Sequence, residues 1–228
     1  KIFGPGNQIV QMAKQLVSLR DVSIDMPAGP SEVCVVADAD ADPEYVASDF
    51  LSQAEHGADS QAILVTDSET LAKKFETVMA EQLDALKRQE LTRKSLEHSK
   101  VIVLRNQDEV MDLVNEYAPE HLILNTRNYM ALAEKVRNAG SVFLGPYSPE
   151  SAGDYASGTN HTLPTNGYAK AYNGVNLDSY MRKVTFQELS ADGLRSLGPI
   201  IEVMAQNEQL DAHKNAVTVR LRALQSKV

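Results

Sequence analysis

Side chains suited to chemistry gather at three places in the chain. In Ser52-Gln53-Ala54-Glu55-His56-Gly57, Gln53 and His56 stand three positions apart, a spacing that shares one face of a helix. Such a pair can grip one metal ion. Glutamine is an uncommon zinc ligand, however, and a histidine at a helix end also interacts favourably with the dipole. In Tyr117-Ala118-Pro119-Glu120-His121 a proline turn delivers Glu120 and His121 in succession. Glutamate and histidine are the usual proton-transfer groups near neutral pH. Adjacent residues of a regular strand face opposite ways, so both can serve one site only where the backbone is irregular. The plainer alternative is a surface carboxylate beside a histidine that starts a strand. The third place is Ser148-Pro149-Glu150-Ser151-Ala152-Gly153-Asp154-Tyr155-Ala156-Ser157-Gly158-Thr159-Asn160-His161. Asp154 and His161 are its candidates, although a loop of this kind can equally be held by its own hydrogen bonds.

These residues need a frame to position them. At 228 residues and 43% hydrophobic, the chain is long enough for one large domain and an appendage. From residue 32 to 145, short β-branched runs alternate with amphipathic stretches, which implies βα units and a parallel sheet. The expected strands are Val33 to Ala37, Ala62 to Thr66, Val101 to Leu104, His121 to Leu124 and Ser141 to Leu144. Asp42-Pro43 opens a helix that Gly57 closes after His56. Ser68 to about Leu96 reads as a long helix or a broken pair, with further helices from about Gln107 to Tyr117 and from Arg127 to Asn138. The fold class expected is a doubly wound, mostly parallel α/β sheet, an incomplete Rossmann-like domain, followed by a small helical tail. Ligands bind at the carboxyl ends of strands in such sheets, which would place Asp154 and His161 well.

Three segments are expected. Residues 1–31 end a domain that lies mostly upstream, since the chain opens without methionine in what reads as a strand end running into a glycine turn. Residues 32–174 form the α/β domain, with a long functional loop at 146–174. Residues 175–228 form the tail, with a helix break near Gly198-Pro199. Asn7 caps a helix from Gln8 to about Leu19.

Acidic residues outnumber basic ones by 31 to 22, and no Lys/Arg cluster reverses this locally, which argues against nucleic acid and anionic membrane surfaces. No apolar stretch approaches the ~20 residues that span a bilayer. The single cysteine, Cys34, sits in an apolar run and is expected to pack as a small apolar side chain, as in a reducing cytoplasm. The seven methionines read as core filler.

Four stretches go beyond generic pattern: Gly4-Pro5-Gly6-Asn7, Asp25-Met26-Pro27-Ala28-Gly29-Pro30-Ser31-Glu32, Ser52 to Gly57, and Ser148 to Pro164. In order and spacing they closely resemble histidinol dehydrogenases, essentially end to end, with the family's first half missing. The resemblance implies zinc held by Gln53, His56, Asp154 and His213, the last supplied by the other subunit of a homodimer. Manganese or cobalt would also suit that mixed shell. It further implies L-histidinol as substrate, NAD as hydride acceptor, and oxidation through the aldehyde to histidine. His121 matches the base that takes the alcohol proton, and Glu120 matches the residue that activates water on the aldehyde. Ser31, Glu208, His121 and the metal ligands match substrate contacts. No Gly-x-Gly-x-x-Gly turn follows any strand, so the one NAD contact implied is Asn7. A zinc hydrolase and a catalytically inert fragment are the competing readings.

Overall fold

The computed structural model describes residues 1–4 and 7–226. Pro5 and Gly6, in the expected glycine turn, lie outside the described residues. The chain divides into two compact units, Lys1–Met181 and Arg182–Val228, so the boundary expected at 175 falls seven residues inside the first.

The first unit begins with α1 (Gln8–Ser18), followed by β1 (Glu32–Ala37), α2 (Pro43–Ala54), β2 (Gln61–Thr66), α3 (Glu69–Ala85) and α4 (Gln89–Leu96). Then come β3 (Lys100–Val103), α5 (Gln107–Tyr117), β4 (His121–Asn125), α6 (Tyr129–Ala133), β5 (Ser141–Leu144) and α7 (Glu150–Tyr155). The five strands are parallel in the order β3-β2-β1-β4-β5, the doubly wound arrangement expected. β1 and β4 are buried throughout, as strands covered by helices on both faces should be. Alternate side chains feed two cores. Val33, Val35 and Ile123 pack with Phe50 of α2 and Phe75 of α3, whose rings meet edge to face with centroids 5.1 Å apart. Cys34, Val36, Leu122 and Leu124 pack with Val110 and Val114 of α5. Each fully buried side chain of this size contributes about 1.5–3 kcal/mol. Burial lifts the Cys34 thiol to about 12, and nearby Glu32 adds to the shift, so this cysteine is inert packing.

Several sequence expectations change in detail. α2 ends at Ala54, with Glu55 at its C-cap, so His56 lies in the turn beyond the helix. The 68–96 stretch is a broken pair, α3 and α4. The helix expected over 127–138 shortens to Tyr129–Ala133. Asn7 does cap α1, its Oδ1 accepting from the N–H groups of Ile9 and Val10 at 3.1 Å each. Behind it, Lys14 and Asp25 form a buried ion pair, and Asp25 also accepts from the Gly4 N–H at 2.8 Å. Of the methionines, Met26 and Met111 are buried, whereas Met12, Met130, Met181 and Met204 are exposed and fill no core.

The second unit is a helical pair, α8 (Ala191–Asn207) and α9 (Asp211–Gln225). The break expected at Gly198-Pro199 is absent, because α8 runs through Pro199. The glycine is needed for packing instead: a Cβ on Gly198 would lie 2.8 Å from the Leu221 side chain of α9. The chain turns at Gln209, which adopts φ 60°.

Candidate active site

The approach to β4 is irregular in the way the Glu120-His121 pair requires. Ala118 closes α5 in the left-handed conformation at φ 54°, and Pro119 then turns the chain. The Gly140 N–H donates to Pro119 O at 2.9 Å and the Ser141 N–H to Glu120 O at 2.8 Å. A side chain at 140 would block this approach, since its Cβ would sit 2.5 Å from Glu120 O. Glu120 therefore precedes the strand and His121 opens it, with Glu120 Oε2 and His121 Nδ1 3.5 Å apart. Both are buried.

Glu32, the first residue of β1, organises the pair. Its N–H donates to Glu120 Oε2 at 2.9 Å, while its own Oε1 accepts from the Glu120 N–H at 3.3 Å. Its carbonyl lies 3.1 Å from His121 Nδ1. A carbonyl can only accept, so Nδ1 carries a proton and Nε2 is the atom free for proton transfer. Nε2 is buried with no hydrogen-bond partner among the described residues and lies 3.9 Å from Asp154 Oδ1.

A second group of donors adjoins it. Gln53 lies in the last turn of α2, and the His56 N–H donates back to Gln53 O at 3.2 Å. Glu150 and Asp154, four apart on α7, share a face of that helix. Gly153 lets α7 press onto β5, because a Cβ there would lie 2.6 Å from the Phe143 ring. The ligand atoms of His56, Glu150 and Asp154 all fall within 4.8 Å of one another. Gln53 is fully buried, and Glu150 faces one edge of its amide; the orientation that turns the amide nitrogen to that edge lets it donate to both Glu150 oxygens, 3.0 Å to Oε2.

Imidazole nitrogen with carboxylate and amide oxygen is a donor set that suits zinc, manganese or cobalt. The electrostatics fit a cation too. A cavity of about 370 Å³, lined by Ser31, Gln53, His56, Glu120, His121, Glu150 and Asp154 among others, includes no lysine or arginine among the described residues. Burial lifts Glu150 to about 8, His121 opposes the shift, and the negative charges of Asp154, Glu120 and Asp49 add to it. Burial alone takes Asp49 to about 7. Glu32 also reaches about 7, through burial and the charge of Glu120. Burial pulls His121 down, but the bond to Glu120 and the charges of Glu150 and Glu120 outweigh it, raising the imidazole to about 9. Burial is the main reason the three carboxyls hold their protons, and a bound cation would favour their ionised forms.

The site therefore gathers Ser31, Gln53, His56, Glu120, His121 and Asp154 at one cavity. Its position corrects one expectation. Glu32 and His121 begin their strands, and β1 and β4 are the neighbours at which the sheet order reverses. The site is at this switch point, but on the amino edge of the sheet. The reason is that α2 runs antiparallel to the strands, so its carboxyl end, carrying Gln53, returns to the edge where β1 and β4 start. His161 also lines the cavity. Asn7 caps α1, while Glu208 and His213 belong to the second unit, at the C-cap of α8 and in the first turn of α9, both exposed. Glu32, Glu150 and Asn166 escaped the sequence reading. The Asn166 N–H donates to Glu32 Oε1 at 3.0 Å and its Nδ2 to Gly29 O at 3.0 Å. An acidic residue opening an otherwise apolar strand was the available signal for Glu32, and a glutamate four before Asp154 was the signal for Glu150.

Fold and site together define a Rossmann-like α/β protein whose sheet carries a buried acid–base pair beside a candidate cation cradle. The family model described as "Histidinol dehydrogenase" matches residues 1–221, and the chain belongs to the histidinol dehydrogenase family. It is 66% identical over 98% of its length to the histidinol dehydrogenase of Bacteroides thetaiotaomicron and 55% identical to that of Haemophilus influenzae. The crystal structure of histidinol dehydrogenase from Elizabethkingia anophelis superposes with a TM-score of 0.94 at 54% identity, covering 98% of this chain and 52% of that one. The chain thus spans about half the length of the relatives it matches: 52% of both the Bacteroides and the Haemophilus proteins.

Proposed function

We propose that this chain carries the substrate site of an NAD-linked histidinol dehydrogenase, which oxidises L-histidinol through L-histidinaldehyde to L-histidine. The observation that supports this best is His121 Nε2, buried and unpartnered, with Nδ1 held by the Glu32 carbonyl and the donor cradle alongside. A primary alcohol losing hydride to a nicotinamide must also lose its hydroxyl proton, and a neutral, buried imidazole nitrogen can take it. Glu120 is the second proton acceptor and would draw a proton from the water that adds to the aldehyde. A cation beside His121 disfavours its protonated form, which brings the imidazole down from about 9 toward the range where it works as a base.

Gln53, His56 and Asp154 would hold a zinc ion, with manganese or cobalt as substitutes, and His213 of a second copy would complete the shell. When bound, that ion would supply an anchor for the substrate's nitrogen donors, and these residues would thereby fix the alcohol carbon. Ser31, and Glu208 from the second copy, complete the substrate contacts, while Asn7 is the one NAD contact carried by this chain. Residues 182–228 would then act as the tail of a homodimer, and residues 1–31 as the end of the segment that binds the cofactor. Among the described residues no helix is long and apolar enough to cross a membrane, which suits a cytoplasmic enzyme.

The test is NADH formation from L-histidinol and NAD in zinc-containing buffer, by this chain and by the full-length protein containing it. Turnover that requires NAD and is lost in His121→Asn supports the dehydrogenase. No NADH formation by the full-length protein, with zinc-dependent hydrolysis of a histidine ester or amide in its place, would support a zinc hydrolase and sink the proposal. Turnover only in the longer protein would mean that this chain does not complete the reaction by itself.

A further inference from the structure

One buried side chain of the cavity has no part in the reaction described above. Glu150 is 2% exposed and opens α7, one helical turn before Asp154. Its carboxylate faces the carboxamide of Gln53, which is itself 0% exposed on α2. With a cation in the cradle Glu150 is ionised and offers only acceptors, so the amide edge turned toward it is then the NH₂ group, placed to donate to both Glu150 oxygens. Two hydrogen bonds to a charged acceptor in a buried site are the strong kind. They leave the amide no equivalent second orientation.

The consequence lies on the other edge of the same amide. With its nitrogen committed to Glu150, Gln53 has only its oxygen left for the cavity that it lines. An amide presents a divalent cation with either a lone-pair oxygen or two N–H dipoles of the wrong sign, and the choice between them is one rotation about χ3. We propose that Glu150 is the positioning residue that makes Gln53 a metal ligand, by locking its carboxamide with oxygen toward the cation. Glu150 and Asp154 then divide the work of one helix face, one orienting a ligand and the other being one. This explains how glutamine, a weak and ambiguous ligand, serves in a cation site. The inference rests on the cation reading of the cradle, since without a cation the orientation has no consequence.

A competing geometry is present, because a Glu150 oxygen also lies within 4.8 Å of the His56 and Asp154 ligand atoms. In that alternative Glu150 ligates the ion directly. A double-mutant cycle on metal affinity separates the two, with Co²⁺ titrated by its visible absorption and Zn²⁺ measured by competition with a chromophoric chelator. The variants are Gln53→Ala, Glu150→Ala, the pair together, and Glu150→Gln, whose oxygen can still accept from the Gln53 amide. Far-ultraviolet circular dichroism and the melting midpoint verify that each is folded. Orienting partners of metal ligands are typically worth about 10-fold to 100-fold in metal affinity. The expected result is a loss of that size in Glu150→Ala, a smaller one in Glu150→Gln, and almost no further loss when Glu150→Ala is added to Gln53→Ala. Fully additive losses would overturn the proposal and make Glu150 a direct ligand or a general source of negative charge. Unchanged affinity in Glu150→Ala, with Gln53→Ala weakened, would overturn it as well. If the unmutated protein binds neither ion, the cation reading itself fails and takes this inference with it, an outcome distinct from the other two.

Discussion

The two edges of the central sheet are built from the same strands and have opposite characters. At the carboxyl edge, where doubly wound folds usually bind ligands, the loops after β1 and β4 tie each other down. The Arg127 N–H donates to Asp38 Oδ2 at 2.8 Å, and the Arg127 guanidinium pairs with Asp40 at 2.8 Å on the exposed surface. At the amino edge the same two strands start with Glu32 and with Glu120-His121, all buried and cross-bonded through backbone and side chain. The rule relating fold to site correctly picks the strand pair where the order reverses. Which edge is used depends on where buried, chemically competent groups converge, and here the carboxyl end of α2 and the face of α7 bring theirs to the amino edge.

The largest expected effects break this comparison outright. His121→Asn and Glu120→Gln should each lower kcat by about 10²-fold to 10⁴-fold, the usual worth of an acid–base group, whereas Arg127→Ala at the opposite edge should leave kcat within about twofold. Steady-state NADH formation in the full-length protein measures both, and comparable losses at the two edges would end the distinction.

The next effect is thermodynamic. Glu32 has its ordinary value of 4.5 raised to about 7 when folded, so the folded chain binds more protons than the unfolded one between those values. Its contribution is fully present below about pH 4.5 and is lost as pH rises through about 7, on the order of 3 kcal/mol in all. His121, Glu150 and Asp49 are raised as well and slope the same way. Urea unfolding of the metal-free chain at pH 5 and pH 8 should therefore show lower stability at the higher pH. Glu32→Gln should reduce that difference, and an identical difference in the variant would contradict the assignment.

A smaller effect tests the irregular entry to β4. Gly140→Ala puts a Cβ 2.5 Å from Glu120 O, which should cost about 1–3 kcal/mol as the backbone shifts and should move Glu120 off its bond with the Glu32 N–H. Denaturant midpoints give the first quantity, and the second appears as a kcat loss out of proportion to any change in KM. The smallest effect belongs to the carboxyl edge, where Asp40→Ala removes an exposed ion pair and should change stability by less than about 1 kcal/mol.

Much of this architecture was legible before the fold was known. The β-branched runs at 33–37, 62–66, 121–124 and 141–144 are strands because side chains buried on both faces must be apolar without alternation. The caps read at Asp42 and Asn7 accept from their helices as their residue types imply. Gln53, His56, Glu120, His121 and Asp154 were visible as candidates through residue type and spacing. Their assembly on one cavity was implied by the family resemblance but not by spacing, because the pairing of β1 with β4 brings together residues 88 and 89 positions apart.

What the sequence determined by itself, then, was local: which segments become strands and helices, and which side chains are capable of proton transfer or metal ligation. Those properties depend on periodicity, caps and functional groups within a few residues. Only the tertiary structure decided that the site occupies the amino edge of the sheet, that Glu32 fixes the tautomer of His121, that Glu150 faces the Gln53 amide, and that α8 continues through Pro199. Each of these follows from packing between distant segments, and burial sets both the orientation of an amide and the protonation of a carboxylate according to neighbours that sequence spacing does not reveal.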